Sequence, residues 1–345
     1  MKQTAIVLAP GRGTYNRAEL GYFARHHADR AELMAEFDAC RAAEGQEPIS
    51  ALDNADRFSG ARHTRGDNAS GLIHACAYAD FLAIDRDRFD ILAVTGNSMG
   101  WYIALTCAGA LGARDGFRLV NTMGTLMHRH MIGGQVIYPF VDENWQVIPG
   151  ERARIESKMA EIDARADHVL NLSIDLGGML VLAGNREGLA AFEAEMPAVQ
   201  ERFPMRLPGH AGFHSAMQAP VAAEGQERLG ADLFGGPVLP LIDGRGAIWH
   251  PHATDTRALR AYTLGHQVTA PYDFTAAIRV AAREFMPDVF IILGPGGTLG
   301  GAVAQSLLLS KWRGMAGKSE FKTAQGTAPL LLAMGQEDQR ALVVG

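Results

Sequence analysis

A serine flanked by glycines is the residue of this sequence best suited to nucleophilic chemistry. The segment GNSMG at 96–100 has the G-x-S-x-G pattern of a nucleophile elbow, in which the serine lies on a sharp turn from a strand into a helix. The apolar residues 91–94 predict the strand, and the Ala- and Leu-rich stretch after the turn predicts the helix. An ordinary tight turn also fits these five letters, but the flanking elements favour Ser98 as a nucleophile.

A serine nucleophile needs a base within hydrogen-bond reach and a group that orients the base. The sequence contains 12 histidines, so the choice among them depends on local context. His214 is favoured because it lies in a loop between small residues and Phe213. His210 is its local rival, and each of the two also fits an ordinary histidine at the edge of a core.

Composition narrows the class of protein. The chain has 345 residues, 48% of them hydrophobic and 20% charged, which is typical of a globular protein with a sizeable core. A net charge of −6 argues against a nucleic-acid partner, and three cysteines without C-x-x-C spacing favour a reduced compartment. The apolar run before Pro10 is too short for a signal peptide. We expect a cytoplasmic protein with no membrane partner, no metal and no cofactor.

The elements that must position the serine alternate between strands and helices. The apolar run 4–8 predicts a first core strand, and the glycine-rich segment 9–13 predicts a loop after it. This loop fits a plain turn at the end of the strand as well as a loop whose N–H groups approach a substrate oxygen. Further strand and helix patterns follow on both sides of the serine. This alternation predicts an α/β fold with a hydrolase-like parallel-sheet core.

The middle of the chain has a different pattern. From 131 to 206 the predicted elements have the order β-α-β-β-α-β, which is that of a ferredoxin-like unit, and the last extended piece is placed at 199–207. We therefore predict that residues 1–130 and 207–345 form the large subdomain. Residues 131–206 are predicted to form an inserted ferredoxin-like α+β subdomain.

Segments along nearly the whole chain resemble motifs of one family, the acyl-CoA:acyl-carrier-protein transacylases, which include malonyl-CoA:ACP transacylases and polyketide-synthase acyltransferase domains. The glycine-rich loop resembles the family's P-G-Q-G, and the elbow resembles G-H-S-x-G. Three later segments resemble the histidine segment, the R-Q-L-x-x-P-V-x-W segment and the E-x-G-P-G-x-x-L end: HAGFHS at 210–215, HQVTAPYDF at 266–274 and LGPGGTLGG at 293–301.

The resemblance implies a role for each matching residue. Ser98 corresponds to the nucleophile, His214 to the base, and Gln267 to the glutamine whose main-chain carbonyl orients that base. The backbone N–H groups of Arg12 and Met99 correspond to the oxyanion hole. The implied reaction is ping-pong: the serine takes an acyl group from a thioester, and a phosphopantetheine thiol removes it.

Departures from the family pattern bear on the acyl group. Met123 stands where the family has its malonate-binding arginine, so a malonyl carboxylate would lose its bidentate partner there. Trp101 replaces a residue that is commonly Glu, and we predict that Met123, Trp101, Phe213 and Asn68 bind substrate. Phe213, by contrast, is found in malonyl-type members and therefore favours a malonyl group. A core role for Met123, with the arginine supplied by Arg129 for instance, is the alternative.

Two smaller departures lie beside the serine. Asn97 replaces the usual His, and Arg12 replaces the usual Gln.

The sequence thus predicts a serine acyltransferase that loads acyl carrier proteins in polyketide or related biosynthesis, with an acyl-CoA or acyl-carrier donor. Because Met123 replaces the carboxylate-binding arginine, the predicted acyl group is not malonyl. The alternatives are a malonyl-CoA:ACP transacylase and an editing hydrolase that releases the acyl group to water. A non-catalytic carrier-docking protein and a generic esterase are further possibilities. The first is disfavoured by the intact Ser98, His214 and Gln267, and the second by the insert.

Overall fold

Two β-sheets organise the computed structural model, which describes residues 2–345. In chain order the strands are β1 (Gln3–Ala9), β2 (Phe89–Gly96), β3 (Gly134–Pro139), β4 (Leu170–Leu176), β5 (Met179–Gly184), β6 (Met205–Arg206), β7 (Leu241–Ile242), β8 (Ile248–Trp249), β9 (Tyr272–Asp273), β10 (Val289–Ile292) and β11 (Leu331–Ala333).

Helices connect these strands and pack on the sheets. They are α1 (Tyr22–His26), α2 (Ala31–Ala43), α3 (Ile49–Asp53), α4 (Gly60–His63), α5 (Gly66–Ala83), α6 (Gly100–Cys107), α7 (Ala113–His130), α8 (Glu151–Asp163), α9 (Arg186–Glu195), α10 (Ala219–Arg228), α11 (Thr256–Ala261), α12 (Gln267–Thr269), α13 (Phe274–Glu284), α14 (Leu299–Leu309), α15 (Lys318–Thr327) and α16 (Glu337–Arg340). A π-helical turn, Tyr262–His266, joins α11 to α12.

The larger sheet has the strand order β11-β10-β1-β2-β7-β8, and its strands are parallel except for β8. Its central strand β1 is fully buried from Ala5 to Ala9, because helices cover both faces of a parallel sheet. The carboxyl ends of β1 and β2 are neighbours, which brings the loops after them together. This arrangement confirms the predicted α/β class with a parallel-sheet core.

The smaller sheet has the order β6-β3-β5-β4-β9. Its first four strands, with α8 and α9, follow the β-α-β-β-α-β order, and the pairs among them are antiparallel. Strand β9 comes from outside 131–206 and pairs parallel with β4. The division of the chain into two subdomains at those residues stays a prediction.

Some elements differ from the sequence prediction. The extended piece placed at 199–207 contains strand only at Met205–Arg206, because Gln200 and Glu201 have φ values of +49° and +59° and form a turn. Helix α10 was not predicted, since few of its residues are apolar enough to show a periodic stripe. Within residues 2–345, no helix combines the length and apolar character that crossing a membrane requires.

Candidate active site

The turn between β2 and α6 holds Ser98 in a left-handed conformation with φ of +57°. Tight backbone packing makes this turn possible. A Cβ on Gly96 would overlap the backbone of Gly100, and a Cβ on Gly100 would overlap the carbonyl of Ala9 in the neighbouring strand. Both glycines are therefore required for the close approach of backbones, and the serine is the residue that the turn leaves pointing into the cleft.

Ser98 lies within hydrogen-bond distance of one histidine. Its Oγ is 2.7 Å from Nε2 of His214, and Nδ1 of the same ring is 2.6 Å from the main-chain oxygen of Gln267. A carbonyl oxygen only accepts, so Nδ1 carries the proton and donates it to Gln267. Nε2 then holds a lone pair facing the serine hydroxyl. The structure thus brings these three predicted residues into one chain of hydrogen bonds.

Several contacts fix the loop that carries the histidine. His214 has a φ of +54°, and the carbonyl of the preceding residue, Phe213, accepts a hydrogen bond of 2.8 Å from Ser173 Oγ in β4. The side-chain amide of Gln135 donates to the same Ser173 oxygen at 2.7 Å. Ser215 Oγ donates to the carbonyl of Gly212 at 2.7 Å. The smaller sheet therefore helps to hold the ring opposite the serine.

Gln267 is held by its side chain while its carbonyl faces His214. Its Nε2 donates to the main-chain oxygen of Ser98 at 3.0 Å, and its Oε1 accepts from the hydroxyl of Tyr102 at 2.9 Å. The preceding π-helical turn ends at His266, directly before this residue. Tyr272, whose ring centre is 5.3 Å from that of His214, donates from its hydroxyl to the carbonyl of Gly96.

Burial sets the protonation state of the base. It lowers the pKa of His214 to about 4, and the hydrogen bond to Gln267 acts in the opposite direction without cancelling this effect. The imidazole is therefore neutral at physiological pH. A neutral imidazole with its lone pair toward a hydroxyl is the form that accepts a proton.

The loop after β1 lies against the elbow. A Cβ on Gly11 would come within 2.8 Å of the Asn97 carbonyl oxygen, so the two backbones touch. Arg12, which follows Gly11, and Met99, which follows Ser98, each have a main-chain N–H beside this contact. Neither N–H donates a hydrogen bond elsewhere in the described range 2–345. Both are available for an oxyanion at the serine.

A cavity opens beside the serine hydroxyl, and it is lined by all three predicted catalytic residues and by both residues predicted for the oxyanion hole. Its lining is apolar apart from a few polar groups, and in chain order it consists of Arg12, Ser70, Ser98, Met99, Tyr102, Gly124, Met127, Phe213, His214, Gln267 and Val268. Phe213 is thus placed where substrate binding was predicted. The side chains of Met127 and Val268 were not singled out from the sequence.

Three residues predicted to bind substrate lie outside this lining. Met123 is fully buried in the core, where its sulfur packs against Gly225 of α10. Trp101 is also fully buried, and its indole N–H donates to Thr263 Oγ1 at 3.0 Å. The structure gives these two side chains packing roles at the positions described.

Asn68 and Arg129 are engaged elsewhere as well. Asn68 Oδ1 accepts from Arg41 Nη2 at 2.5 Å, and its amide donates to the carbonyl of Arg62 at 2.9 Å. Arg129 is on the surface and pairs with Glu224. The arginine that does line the cavity is Arg12, whose side chain the sequence prediction did not use.

An elbow serine bonded to a histidine, with that histidine held by a main-chain carbonyl in an α/β fold, defines the class of serine acyl-transfer proteins. Comparisons with known proteins agree with this class. No protein-family model matches the chain. The malonyl CoA-acyl carrier protein transacylase of Salmonella typhimurium is 26% identical over 208 residues, which are 60% of this chain and 63% of the relative.

A second relative is the non-reducing polyketide synthase mapC of Penicillium brevicompactum, 25% identical over 69% of this chain and 9% of its own length. Among solved structures, the malonyl-CoA:acyl carrier protein transacylase of Xanthomonas oryzae has a TM-score of 0.76 and 18% identity, and the match covers 100% of both chains. A malonyl-transacylase in complex with a type II polyketide acyl-carrier protein has a TM-score of 0.74 and 17% identity, covering 99% of each chain.

These findings confirm the predicted resemblance. The sequence relatives and the structural neighbours are malonyl-CoA:ACP transacylases and polyketide synthases, and the chain shares the fold of the former. The chain spans 63% of the length of the first of these relatives, as aligned by sequence.

Proposed function

We propose that this protein moves an acyl group from a thioester, through an ester on Ser98, to the phosphopantetheine thiol of an acyl carrier protein. The observation that carries the proposal is the pair of short contacts at His214, 2.7 Å to Ser98 Oγ and 2.6 Å to the Gln267 carbonyl. The first contact gives the hydroxyl a base, and the second fixes the tautomer that makes the ring a base.

Acylation of the serine is the first half of the reaction. His214 Nε2 takes the hydroxyl proton as Ser98 Oγ attacks the carbonyl carbon of the thioester. The negative charge that develops on the carbonyl oxygen is stabilised by the main-chain N–H groups of Arg12 and Met99. The carbon–sulfur bond then breaks, and the imidazolium gives its proton to the departing thiolate.

Transfer to the carrier reverses these steps. A phosphopantetheine thiol enters the cleft, His214 Nε2 takes its proton, and the sulfur attacks the ester carbonyl. The bond to Ser98 Oγ breaks, and the serine oxygen regains the proton from the imidazolium. The Gln267 carbonyl faces the ring throughout and partly stabilises each imidazolium, which is the role an Asp has in the more familiar triad.

The relatives support the same acceptor. Several are malonyl CoA-acyl carrier protein transacylases, two are polyketide synthases, and one structural neighbour was solved with its acyl-carrier protein bound. We extend the acyl-carrier acceptor from them to this chain, together with an acyl-CoA or acyl-carrier donor and a place in fatty acid or polyketide biosynthesis. Such substrates also favour the cytoplasmic location predicted from the sequence.

The identity of the acyl group is a separate part of the proposal. Replacement of the family's arginine by Met123 favours an acyl group without a free carboxylate, and malonyl is the alternative. Met123 packs in the core, whereas Arg12 lines the cavity, so the two residues favour opposite answers.

The test of acyl transfer uses the purified protein with acetyl-CoA, malonyl-CoA and longer acyl-CoAs, followed by a holo acyl carrier protein. We expect intact mass spectrometry to show one acyl adduct on the protein and then the same acyl mass on the carrier. If the carrier stays unacylated while free acid accumulates, the protein is the editing hydrolase instead. Absence of any adduct with every donor, in protein shown to be folded, would contradict both functions.

A further inference from the structure

Arg12 contributes more than its main-chain N–H to the cavity. Arg12 lines the same cavity as Ser98 and His214, and its guanidinium carbon is 5.5 Å from the centre of the ring of Phe213, which lines the cavity as well. Its Nη2 donates to the carbonyl oxygens of Thr64 and Gly209, each at 3.3 Å. Nε and Nη1 are shielded from solvent and have no hydrogen-bond partner within residues 2–345.

The charge of this guanidinium also lacks a direct counterion in the described part of the chain. The carboxylate that influences it most is Asp67, but that group is bound by Arg65 at 2.8 and 3.1 Å. Burial lowers the pKa of Arg12 to about 10, so the side chain remains charged at neutral pH. A buried cation with unsatisfied N–H groups is costly unless an anion or another acceptor reaches it.

The neighbouring histidine, His210, does not compensate the positive charge of Arg12. His210 is buried close to Arg12, and both burial and the guanidinium lower its pKa to about 3, so it is neutral. Its Nδ1 is 2.8 Å from the side-chain oxygen Oε1 of Gln135, and the side-chain nitrogen of Gln135 donates to Ser173 Oγ. His210 therefore belongs to the network that holds the loop, and the guanidinium keeps its full positive charge.

We propose that the Arg12 guanidinium binds the terminal carboxylate of the acyl group carried on Ser98, which makes the substrates thioesters of short dicarboxylic acids. The inference rests on the proposed acyl transfer and specifies its substrate class. The oxyanion N–H and the guanidinium belong to the same residue, so an acyl group whose carbonyl oxygen meets the N–H has its chain beside the side chain. Charge-assisted bonds from Nε and Nη1 to a carboxylate would satisfy the donors that the protein leaves open.

This assignment moves the specificity-determining charge to a different place in the fold. The family resemblance puts an arginine at the position of Met123, on α7, and a glutamine at the position of Arg12. In this chain the arginine stands on the loop after β1 and the core residue on α7 is apolar. The loss of an arginine at one position therefore does not exclude a carboxylate, contrary to the expectation drawn from Met123 alone.

The test compares two acyl-CoAs of the same shape. Malonyl-CoA carries the carboxylate, and isovaleryl-CoA has two methyl groups in place of its oxygens. We expect the wild-type protein to be acylated by malonyl-CoA in preference to isovaleryl-CoA. Arg12→Gln should lower the rate of malonyl loading about 100-fold, the effect of removing one partner of a buried charge pair. Isovaleryl loading by the same variant is the reference, so the ratio of malonyl to isovaleryl loading should fall by about the same factor.

Arg129→Gln is the matched control, since it removes an arginine that pairs with Glu224 on the surface, and it should leave both rates unchanged. The inference is overturned if Arg12→Gln loads malonyl and isovaleryl groups in the wild-type ratio, or if the wild-type protein prefers the isovaleryl group. The comparison of malonyl with isovaleryl loading by the wild-type protein tests the inference even if the variant fails to fold. Failure of the proposed acyl transfer has a different signature, namely no adduct from either donor.

Discussion

The cavity beside Ser98 has two parts that are built differently: the catalytic end, formed by Ser98, His214 and Gln267, and the Arg12 end, formed by the guanidinium of Arg12. At the catalytic end the side chains of Ser98, His214 and Gln267 all have partners, through contacts of 2.6 to 3.0 Å. At the other end Arg12 leaves Nε and Nη1 without partners in the range the structure describes. Where the polar groups of a site hydrogen-bond to one another, the geometry for proton transfer is already in place before the substrate binds. A buried group with open donors requires a ligand to complete it.

Removal of the base tests the catalytic end most severely. His214→Ala should lower the rate of serine acylation by about 10⁵- to 10⁶-fold, because the hydroxyl loses the group that takes its proton. The rate is measured by quenched-flow mass spectrometry with any donor that loads the wild-type protein. His210→Ala provides the comparison, since that ring contacts Gln135 and not the serine. An equal loss in both variants would contradict the assignment of His214.

Acid should disable the catalytic end while Arg12 stays charged. Burial lowers the pKa of His214 to about 4, so the ring is neutral above that pH and becomes a cation, unable to accept a proton, below it. The acylation rate should therefore be flat from pH 7 to about pH 5 and fall about tenfold for each pH unit below 4. Circular dichroism at each pH checks that the protein remains folded. An acid limb centred near 6.5, the ordinary value for histidine, would contradict this prediction.

Ser173→Ala tests whether the smaller sheet positions the base. The substitution removes the hydrogen bond to the Phe213 carbonyl and leaves Gln135 without its acceptor. Such a bond contributes about 1 kcal/mol, so we expect kcat to fall up to about tenfold with KM nearly unchanged. Ser173→Thr retains the hydroxyl and should restore part of the rate. A change in KM alone would instead place Ser173 in contact with substrate.

Tyr102→Phe should have the smallest effect. It removes the hydroxyl that donates to Gln267 Oε1, while the bond from Gln267 Nε2 to the Ser98 carbonyl remains. We expect a loss of about fivefold or less in the acylation rate, equivalent to about 1 kcal/mol. The ratio of malonyl to isovaleryl loading should not change, because Arg12 is untouched. A shift in that ratio would show that the two ends of the cavity are coupled.

The sequence predicts the catalytic end better than the Arg12 end for a physical reason. The elbow at 96–100 depends on local backbone geometry, so glycine spacing between a strand and a helix reveals it directly. The pairing of Ser98 with His214 spans 116 positions. Local context favours His214 but leaves His210 as a rival, and the resemblance to a family is what selects His214. The roles of Ser98 and His214 in catalysis stay predictions until the variants are measured.

The direction of a side chain in a cavity is harder to predict. Met123 and Met127 are one helical turn apart on α7, yet Met123 packs against α10 and Met127 lines the cavity. The difference depends on α10, a helix that the sequence did not indicate. The course of the Arg12 side chain likewise depends on the carbonyls of Thr64 and Gly209, which lie far away in the chain.

The most direct test of the account is to locate the covalent intermediate. The wild-type protein is incubated with malonyl-CoA without a carrier, quenched in acid, digested and mapped by tandem mass spectrometry beside Ser98→Ala. We predict a malonyl ester on the peptide that contains Ser98, at close to one per protein, and no acylated peptide in the variant. An adduct that persists in Ser98→Ala, or that maps to another residue in the wild type, would contradict the central claim.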